Sequence, residues 1–204
     1  MTFIKHSLYA VIAAACLPLA AQATTSPTFD FYLDGGSGGI DTVSTSPNFV
    51  KGGLSVTIRA YGADGKQVQV TDRWDGLGVS SGLLNEITNG EYLTLTFNKA
   101  VNLTGLQFSY WENSFLGLGG DKASLSWGSK SLTLGDGNDG GLFVKGFSFS
   151  NVSGTTFTIR GTSSLSLFRL AGITATAAVP EPATYGLMGL GLLGVAATVR
   201  RRKA

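Results

Sequence analysis

The sequence predicts an all-β body that folds as an antiparallel, jelly-roll-like β-sandwich. Apolar and polar residues alternate in about ten short segments, the period of a strand with one buried face. Turn-forming Gly, Asn and Asp residues separate the segments, and no stretch of the body has the period of an amphipathic helix. The segments are unevenly spaced, which excludes a repeat architecture and leaves a closed barrel as the alternative.

The predicted strands follow in chain order. Leu54–Tyr61 and Gln67–Thr71 form the clearest hairpin, with Ala63–Lys66 as its turn. The other alternating sets are Phe29-Phe31-Leu33, Leu93-Leu95-Phe97, Leu106-Phe108-Tyr110, Leu125-Trp127, Leu132-Leu134, Phe147-Phe149, Phe157-Ile159 and Leu165-Leu167. Trp127 shares the parity of Leu125, so we expect it in the core.

The amino terminus predicts a secretory signal peptide over residues 1–23. Lys5 and His6 precede an apolar run, and Ala21-Gln22-Ala23 gives signal peptidase its small residues, with cleavage after Ala23. Acylation of Cys16 is the alternative. Cleavage after Ala23 leaves a mature chain without cysteine or histidine, which excludes disulfides, thiol nucleophiles and the common catalytic triads.

The body, residues 24–178, is long enough for one domain with its own core. It contains ten basic and twelve acidic residues, a net charge near −2, so the basic character of the chain comes from its two ends. A nucleic-acid surface would need a basic patch, and the sequence indicates none. We therefore expect no nucleic-acid partner.

The carboxyl terminus, residues 179–204, combines a rigid break, an apolar span and a basic end. Pro180 and Pro182 fix the backbone of Val179-Pro180-Glu181-Pro182 in an extended form that an enzyme can bind. Residues 183–199 carry no charge and would form a single transmembrane helix of about 25 Å. Arg200, Arg201, Arg202 and Lys203 would stay cytoplasmic, which places the body outside. The alternative is a linker followed by an ordinary tail anchor.

This tail resembles the PEP-CTERM sorting signal of Gram-negative bacteria. The resemblance implies that an exosortase processes the tail after export through the inner membrane, and that the terminal helix anchors the protein until then. It also implies a final place at the cell surface or in the extracellular matrix, with an association with exopolysaccharide. A second pattern, over Asp72 to Phe97, resembles ectodomains that carry such tails: Gly76-Leu77-Gly78-Val79, Glu86-Ile87, then a strand from Glu91 to Phe97. It implies kinship of the body and no activity.

We predict a non-catalytic body, either structural or associated with exopolysaccharide. A carbohydrate-binding module is the first alternative, with Trp74 and Trp111 as candidate glycan-binding residues because flat rings stack on sugars. Trp74 precedes a glycine turn and should be exposed, and either Tyr110 or Trp111 should point outward because the two are adjacent. Catalysis by paired carboxylates among Asp72, Asp75, Glu86 and Glu91 is a further alternative.

Calcium is the only cofactor that the sequence suggests. Asp136, Asn138 and Asp139 offer the oxygen ligands and flexible turn that a hard cation prefers, although the pattern is not an EF-hand. A second cage would combine Asp72, Asp75 and Glu86. Ice binding is a remote alternative, because the Thr-x-Thr pairs at Thr94, Thr156 and Thr174 are unevenly spaced along the chain.

Overall fold

Thirteen β-strands, every pair of them antiparallel, carry the fold of the described residues. The computed structural model describes residues 26–32, 42–81, 85–112, 120–135 and 144–178, and four single positions of the tail (186, 189, 191 and 192) with helical backbone. The prediction of an all-β antiparallel body is confirmed. The strands are β1 (Thr28–Asp30), β2 (Thr42–Ser44), β3 (Asn48–Lys51), β4 (Leu54–Tyr61), β5 (Gln67–Val68), β6 (Val70–Arg73), β7 (Gly76–Val79), β8 (Ile87–Thr88), β9 (Tyr92–Ser109), β10 (Ala123–Trp127), β11 (Lys130–Leu134), β12 (Val144–Gly161) and β13 (Leu167–Ala177).

Two long strands, β9 and β12, run through both layers of the fold. The first half of β9 pairs with β4 and with the end of β12, whereas its second half pairs with the start of β12 and with β13. Register shifts in the β9–β12 ladder, at Ser148/Val152 and Gly154/Thr156, bend this ribbon. The first layer contains β3, β4, β5, β10 and β11, together with the first half of β9 and the second half of β12. The second layer contains β1, β2, β6, β7, β8 and β13, together with the second half of β9 and the first half of β12.

The core lies between the two layers. Strand β4 alternates strictly, with Leu54, Val56, Ile58 and Ala60 buried. Aromatic rings cross from one layer to the other: the centroids of Phe29 and Phe97 are 6.2 Å apart, and those of Phe31 and Phe49 are 4.8 Å apart. This face-to-face packing is sandwich-like, as predicted, and the jelly-roll connectivity stays a prediction.

Several predicted strands have different bounds in the structure. The Leu54–Tyr61 hairpin is confirmed, but its second strand divides at Gln69, because β5 pairs with β4 whereas β6 pairs with β2 and β7. Leu165 lies in a turn before β13 and is 39 % exposed. Trp127 is half-buried at the edge of the core rather than inside it.

Both predicted trafficking segments lie largely outside the described residues. This holds for the signal peptide with Ala21 and Ala23, for the motif Val179–Pro182 and for the basic end at 200–203. Among the residues that the structure describes, no helix has the length and apolar character needed to cross a membrane.

Candidate functional site

A buried arginine organises the charged side chains of the body. Arg169 stands in the apolar strand β13, and its side chain is 1 % exposed. Its Nε lies 3.4 Å from Asp75 Oδ1, and its Nη2 lies 3.9 Å from Glu86 Oε1. Its Nη1 donates a hydrogen bond of 2.9 Å to the carbonyl oxygen of Asn85. We call Arg169, Asp75, Glu86 and Asn85 the Arg169 cluster.

Glycines of strand β7 allow the cluster to close. Gly76 has φ +127°, and a Cβ there would lie 2.6 Å from the carbonyl oxygen of Leu170. A Cβ on Gly78 would overlap the carbonyl oxygen of Asn85 and lie 3.1 Å from Arg169 Nη1. Asn85 itself has φ 57°, a left-handed conformation that asparagine tolerates. The Gly76–Val79 pattern is therefore a packing motif around Arg169.

Tyr110 joins the cluster from the end of β9. It has φ 58°, which is uncommon for a bulky residue, and its hydroxyl is hydrogen-bonded to Asp75. Its ring is 46 % exposed, so the prediction that one of Tyr110 and Trp111 points outward is confirmed. The hydroxyl of Ser109 also donates to the carbonyl oxygen of Asp75. The end of β9 thus fixes both the main chain and the side chain of Asp75.

The electrostatics of the cluster are dominated by burial. Burial raises the pKa of Glu86 although Arg169 opposes the shift, and burial lowers the pKa of Arg169 although both carboxylates oppose it. Asp75 Oδ1 and Glu86 Oε2 are buried and accept no hydrogen bond from the described residues. In such an arrangement the opposite charges offset part of the cost of burying one another, and removal of one partner leaves the others uncompensated.

Two further acidic residues, the candidate Glu91 and the unpredicted Asp121, hold local structure. Glu91 accepts a 2.9 Å hydrogen bond from the Thr88 amide and another from the Ser81 hydroxyl. Asp121 accepts one from the Glu112 amide and one from the Leu167 amide, each 2.6 Å long. Burial nevertheless raises the pKa of Asp121, because the two amides offset only part of the desolvation.

The second calcium cage predicted from the sequence is wrong. In the described part of the chain, no three His, Cys, Asp or Glu side chains lie close enough together to hold a metal ion. Asp72, Asp75 and Glu86 form no such group, and the guanidinium of Arg169 contacts both Asp75 and Glu86. The first candidate set, Asp136, Asn138 and Asp139, lies outside the described residues.

The two candidate glycan-binding tryptophans occupy different environments. Trp74 lies in the turn between β6 and β7 and is 49 % exposed, as predicted, with the Tyr32 ring 6.1 Å away. Trp111 is half-buried, and its ring packs 5.2 Å from Phe108, 5.0 Å from Phe147 and 4.9 Å from Phe168. Of the two candidates, Trp74 is therefore the more exposed side chain.

Replacing each tryptophan by alanine should separate these environments. We expect Trp111→Ala to lower the free energy of unfolding by about 2 kcal/mol, because three ring contacts are lost at a half-buried site. The matched variant Trp74→Ala should change it by less than about 0.5 kcal/mol. Denaturant unfolding of the full chain measures both, and equal losses would contradict the assignment of Trp111 to the core.

Asp72 gives a pH-dependent prediction. Burial raises the pKa of its carboxyl, so the folded chain holds this proton more tightly than the unfolded chain. The resulting stability is fully present below about pH 4 and is lost as pH rises through the folded-state pKa. Between pH 4 and 7 the free energy of unfolding should therefore fall less in Asp72→Asn than in the wild type. Identical pH profiles, measured by urea unfolding, would show that Asp72 is as well solvated in the fold as in the unfolded chain.

Sequence reasoning missed Arg169, Tyr110 and Asp121. One signal was present for Arg169, a lone charge inside the apolar run Leu167-Phe168-Arg169-Leu170. A charge at such a position requires a buried partner. Nothing in the sequence indicates which acid provides it.

The comparisons with known proteins identify the tail. They concern the carboxyl end of the chain, where the sequence predicts a sorting signal. Residues 178–203 match the family model of the PEP-CTERM protein-sorting motif, so the chain is a PEP-CTERM domain-containing protein. The motif implies processing by an exosortase and export with sorting to the cell surface. No curated protein and no solved structure matches the chain.

Proposed function

We propose that the chain is a non-catalytic β-sandwich protein of the cell surface or extracellular matrix, either structural or associated with exopolysaccharide. Signal peptidase removes residues 1–23, and the helix at 183–199 holds the protein in the membrane until exosortase acts at Val179–Pro182. Arg200–Lys203 keeps the tail oriented during this interval. The observation that carries the proposal is the sorting motif at 178–203, joined to a body whose converging charges are buried.

The environment of the carboxylates supports a non-catalytic body. General acid–base chemistry needs a carboxyl group within reach of a bound substrate. Asp75 is 4 % exposed and Glu91 is 6 % exposed, and both are engaged by neighbouring groups. The acidic residues that line the groove between β1 and β3 are Asp30 and Asp72. The buried acids Asp75 and Glu91 do not line it. A structural role for the buried acids fits these surroundings.

Carbohydrate binding is the second candidate. The exposed ring of Trp74, paired with Tyr32, favours it, and Trp111 contributes less because its ring is packed. Calcium at Asp136, Asn138 and Asp139 stays an expectation from the sequence. A chelator should then lower the melting temperature of the full chain, and an unchanged value would remove calcium from the account.

Growth of the host without exopolysaccharide synthesis tests the proposed association. The protein should move from the matrix fraction to the medium or the outer surface, because its polymer is missing while its sorting machinery is intact. There are two controls. The first is the wild-type chain in a strain that makes exopolysaccharide, and the second is a Lys99→Gln variant of the chain, which should be distributed like the wild type. An unchanged distribution would contradict the association with exopolysaccharide, and only the structural role would remain.

A further inference from the structure

The outer face of the first layer presents ranks of hydroxyl side chains across adjacent strands. Residues that alternate with the buried core positions of β4, β9, β10 and β12 point away from the core. The ladder register aligns them into one rank from β4 to β11 and a second beside it. These ranks are Arg59–Thr94–Thr158–Ser126–Ser131 and Tyr61–Tyr92–Arg160–Ser124–Thr133. We call this surface the hydroxyl face.

A cationic aromatic group stands at one end of the face. The Tyr61 and Tyr92 rings are stacked, with centroids 4.7 Å apart and planes 10° apart. The guanidinium carbon of Arg160 lies 4.2 Å from the centroid of Tyr92, and Arg160 Nη1 donates a 2.9 Å hydrogen bond to the Gly90 carbonyl. These contacts hold the arginine in place, so little side-chain entropy is lost when it binds an anion.

The face is positive although the body as a whole is negative. Among the described outward positions in the two ranks, the charged residues are Arg59 and Arg160. Lys122 is exposed and has the parity of Ser124, so it adds positive charge next to Arg160. The nearby hairpin tip carries Asp64, whose carboxylate is paired with Lys66 at 3.0 Å. The charge of this surface therefore complements an anionic partner.

We propose that the hydroxyl face binds an acidic polysaccharide, an inference that rests on the proposed function and names its ligand class. Arg59 lies on β4 and Arg160 lies on β12, two strands away and two residues further along the strand. Their Cα atoms are therefore roughly 12 Å apart. This distance exceeds one sugar ring, so both guanidinium groups can bind carboxylates of one polymer. The ranks of Thr and Ser offer donors and acceptors to sugar hydroxyls, and the tyrosine stack offers a flat apolar edge.

The same ranks correct an expectation from the sequence about ice. Thr94 and Thr96 lie directly opposite Thr158 and Thr156, so threonines that are far apart in sequence form a compact array. An ice-binding surface needs a flat array without charged or bulky interruptions. Arg59, Arg160 and the tyrosine pair interrupt this one, which favours a flexible anionic polymer.

Binding of the full chain to polygalacturonate tests the inference, with dextran as the neutral polymer. Wild-type protein, purified in detergent, should bind polygalacturonate at 50 mM salt and release it at 1 M, because exposed charges are screened. Arg59→Gln/Arg160→Gln should weaken binding by about tenfold or more. The matched variant Lys51→Gln/Lys99→Gln removes two exposed charges that lie outside the two ranks, and it should bind like the wild type.

Each other outcome overturns the inference. Equal binding to dextran, or equal loss in both double variants, would show that the face does not select acidic polymers. Binding to vesicles of phosphatidylglycerol without binding to the polymer would assign the face to a membrane, and ice shaping that requires Thr94 and Thr158 would assign it to ice. A chain that reaches the cell surface yet fails to bind polygalacturonate refutes this inference and leaves the proposed function intact.

Discussion

Arg169→Met should lower the free energy of unfolding by about 3–5 kcal/mol. The substitution removes a cation that contacts both Asp75 and Glu86, and it leaves these two carboxylates facing an apolar side chain. It also removes the hydrogen bond to the Asn85 carbonyl. For a chain of this length the melting temperature should fall by about 6–20 °C. Differential scanning calorimetry and urea unfolding of the full chain measure the change.

Two further variants show whether charge is the cause. Arg59→Met removes a half-buried arginine from the outer face, and it should cost less than about 1 kcal/mol because such a charge remains solvated. Arg169→Met combined with Asp75→Asn and Glu86→Gln should recover part of the loss, because the buried charges are removed together. Equal stability of Arg169→Met and Arg59→Met would contradict the central place of Arg169 in the fold.

Gly78→Ala should be the other severely destabilising change, with a loss of at least about 3 kcal/mol. The new methyl group would overlap the Asn85 carbonyl, which is a backbone atom and cannot rotate away. That carbonyl accepts from the Thr71 hydroxyl at 3.0 Å and from Arg169 at 2.9 Å, so its displacement breaks both hydrogen bonds. Urea unfolding of the full chain measures the loss.

Gly146→Ala is the matched control for this change. Gly146 is also a strand glycine, but a Cβ there meets nothing within 4 Å, and its φ lies outside the left-handed range. Alanine at this position should leave stability unchanged or raise it by about 0.4–1 kcal/mol, since it restricts the unfolded chain. If both variants lost the same stability, the close approach of β7 to Asn85 would not explain why position 78 requires a glycine.

Local patterns predict much of the fold because burial repeats along a strand. The alternation in Leu54–Tyr61 and the turn at Ala63–Lys66 define a hairpin whose first strand has the predicted bounds in the structure, whereas its second strand ends at Val68. The 18-residue strand β9 was beyond such reasoning, because its alternation breaks at Asn98-Lys99-Ala100, where the ribbon crosses between layers. Strand β7 was missed for a different reason. All four of its residues are buried, so it shows no alternation.

Long-range pairing limits what the sequence reveals about sites. The exposure of Trp74 follows from its turn, a local property. The Asp75–Arg169 ion pair joins residues far apart in sequence, and many acids could have served equally well as the partner. The threonine array has the same origin, because only the register of β9 against β12 places Thr94 beside Thr158. The chemistry of a single residue can be predicted from the sequence, whereas the convergence of distant residues depends on the topology of the fold.

Mass spectrometry of the protein's own ends, from host cells with and without exosortase, tests the sorting assignment most directly. We expect a mature chain that begins at Thr24 in both strains. Its tail should be processed at Val179–Pro182 in the wild-type strain, and it should persist to Ala204 in the membrane fraction of cells without exosortase. A full-length chain that keeps Met1 and Ala204 and collects in the cytosol of wild-type cells would contradict the account.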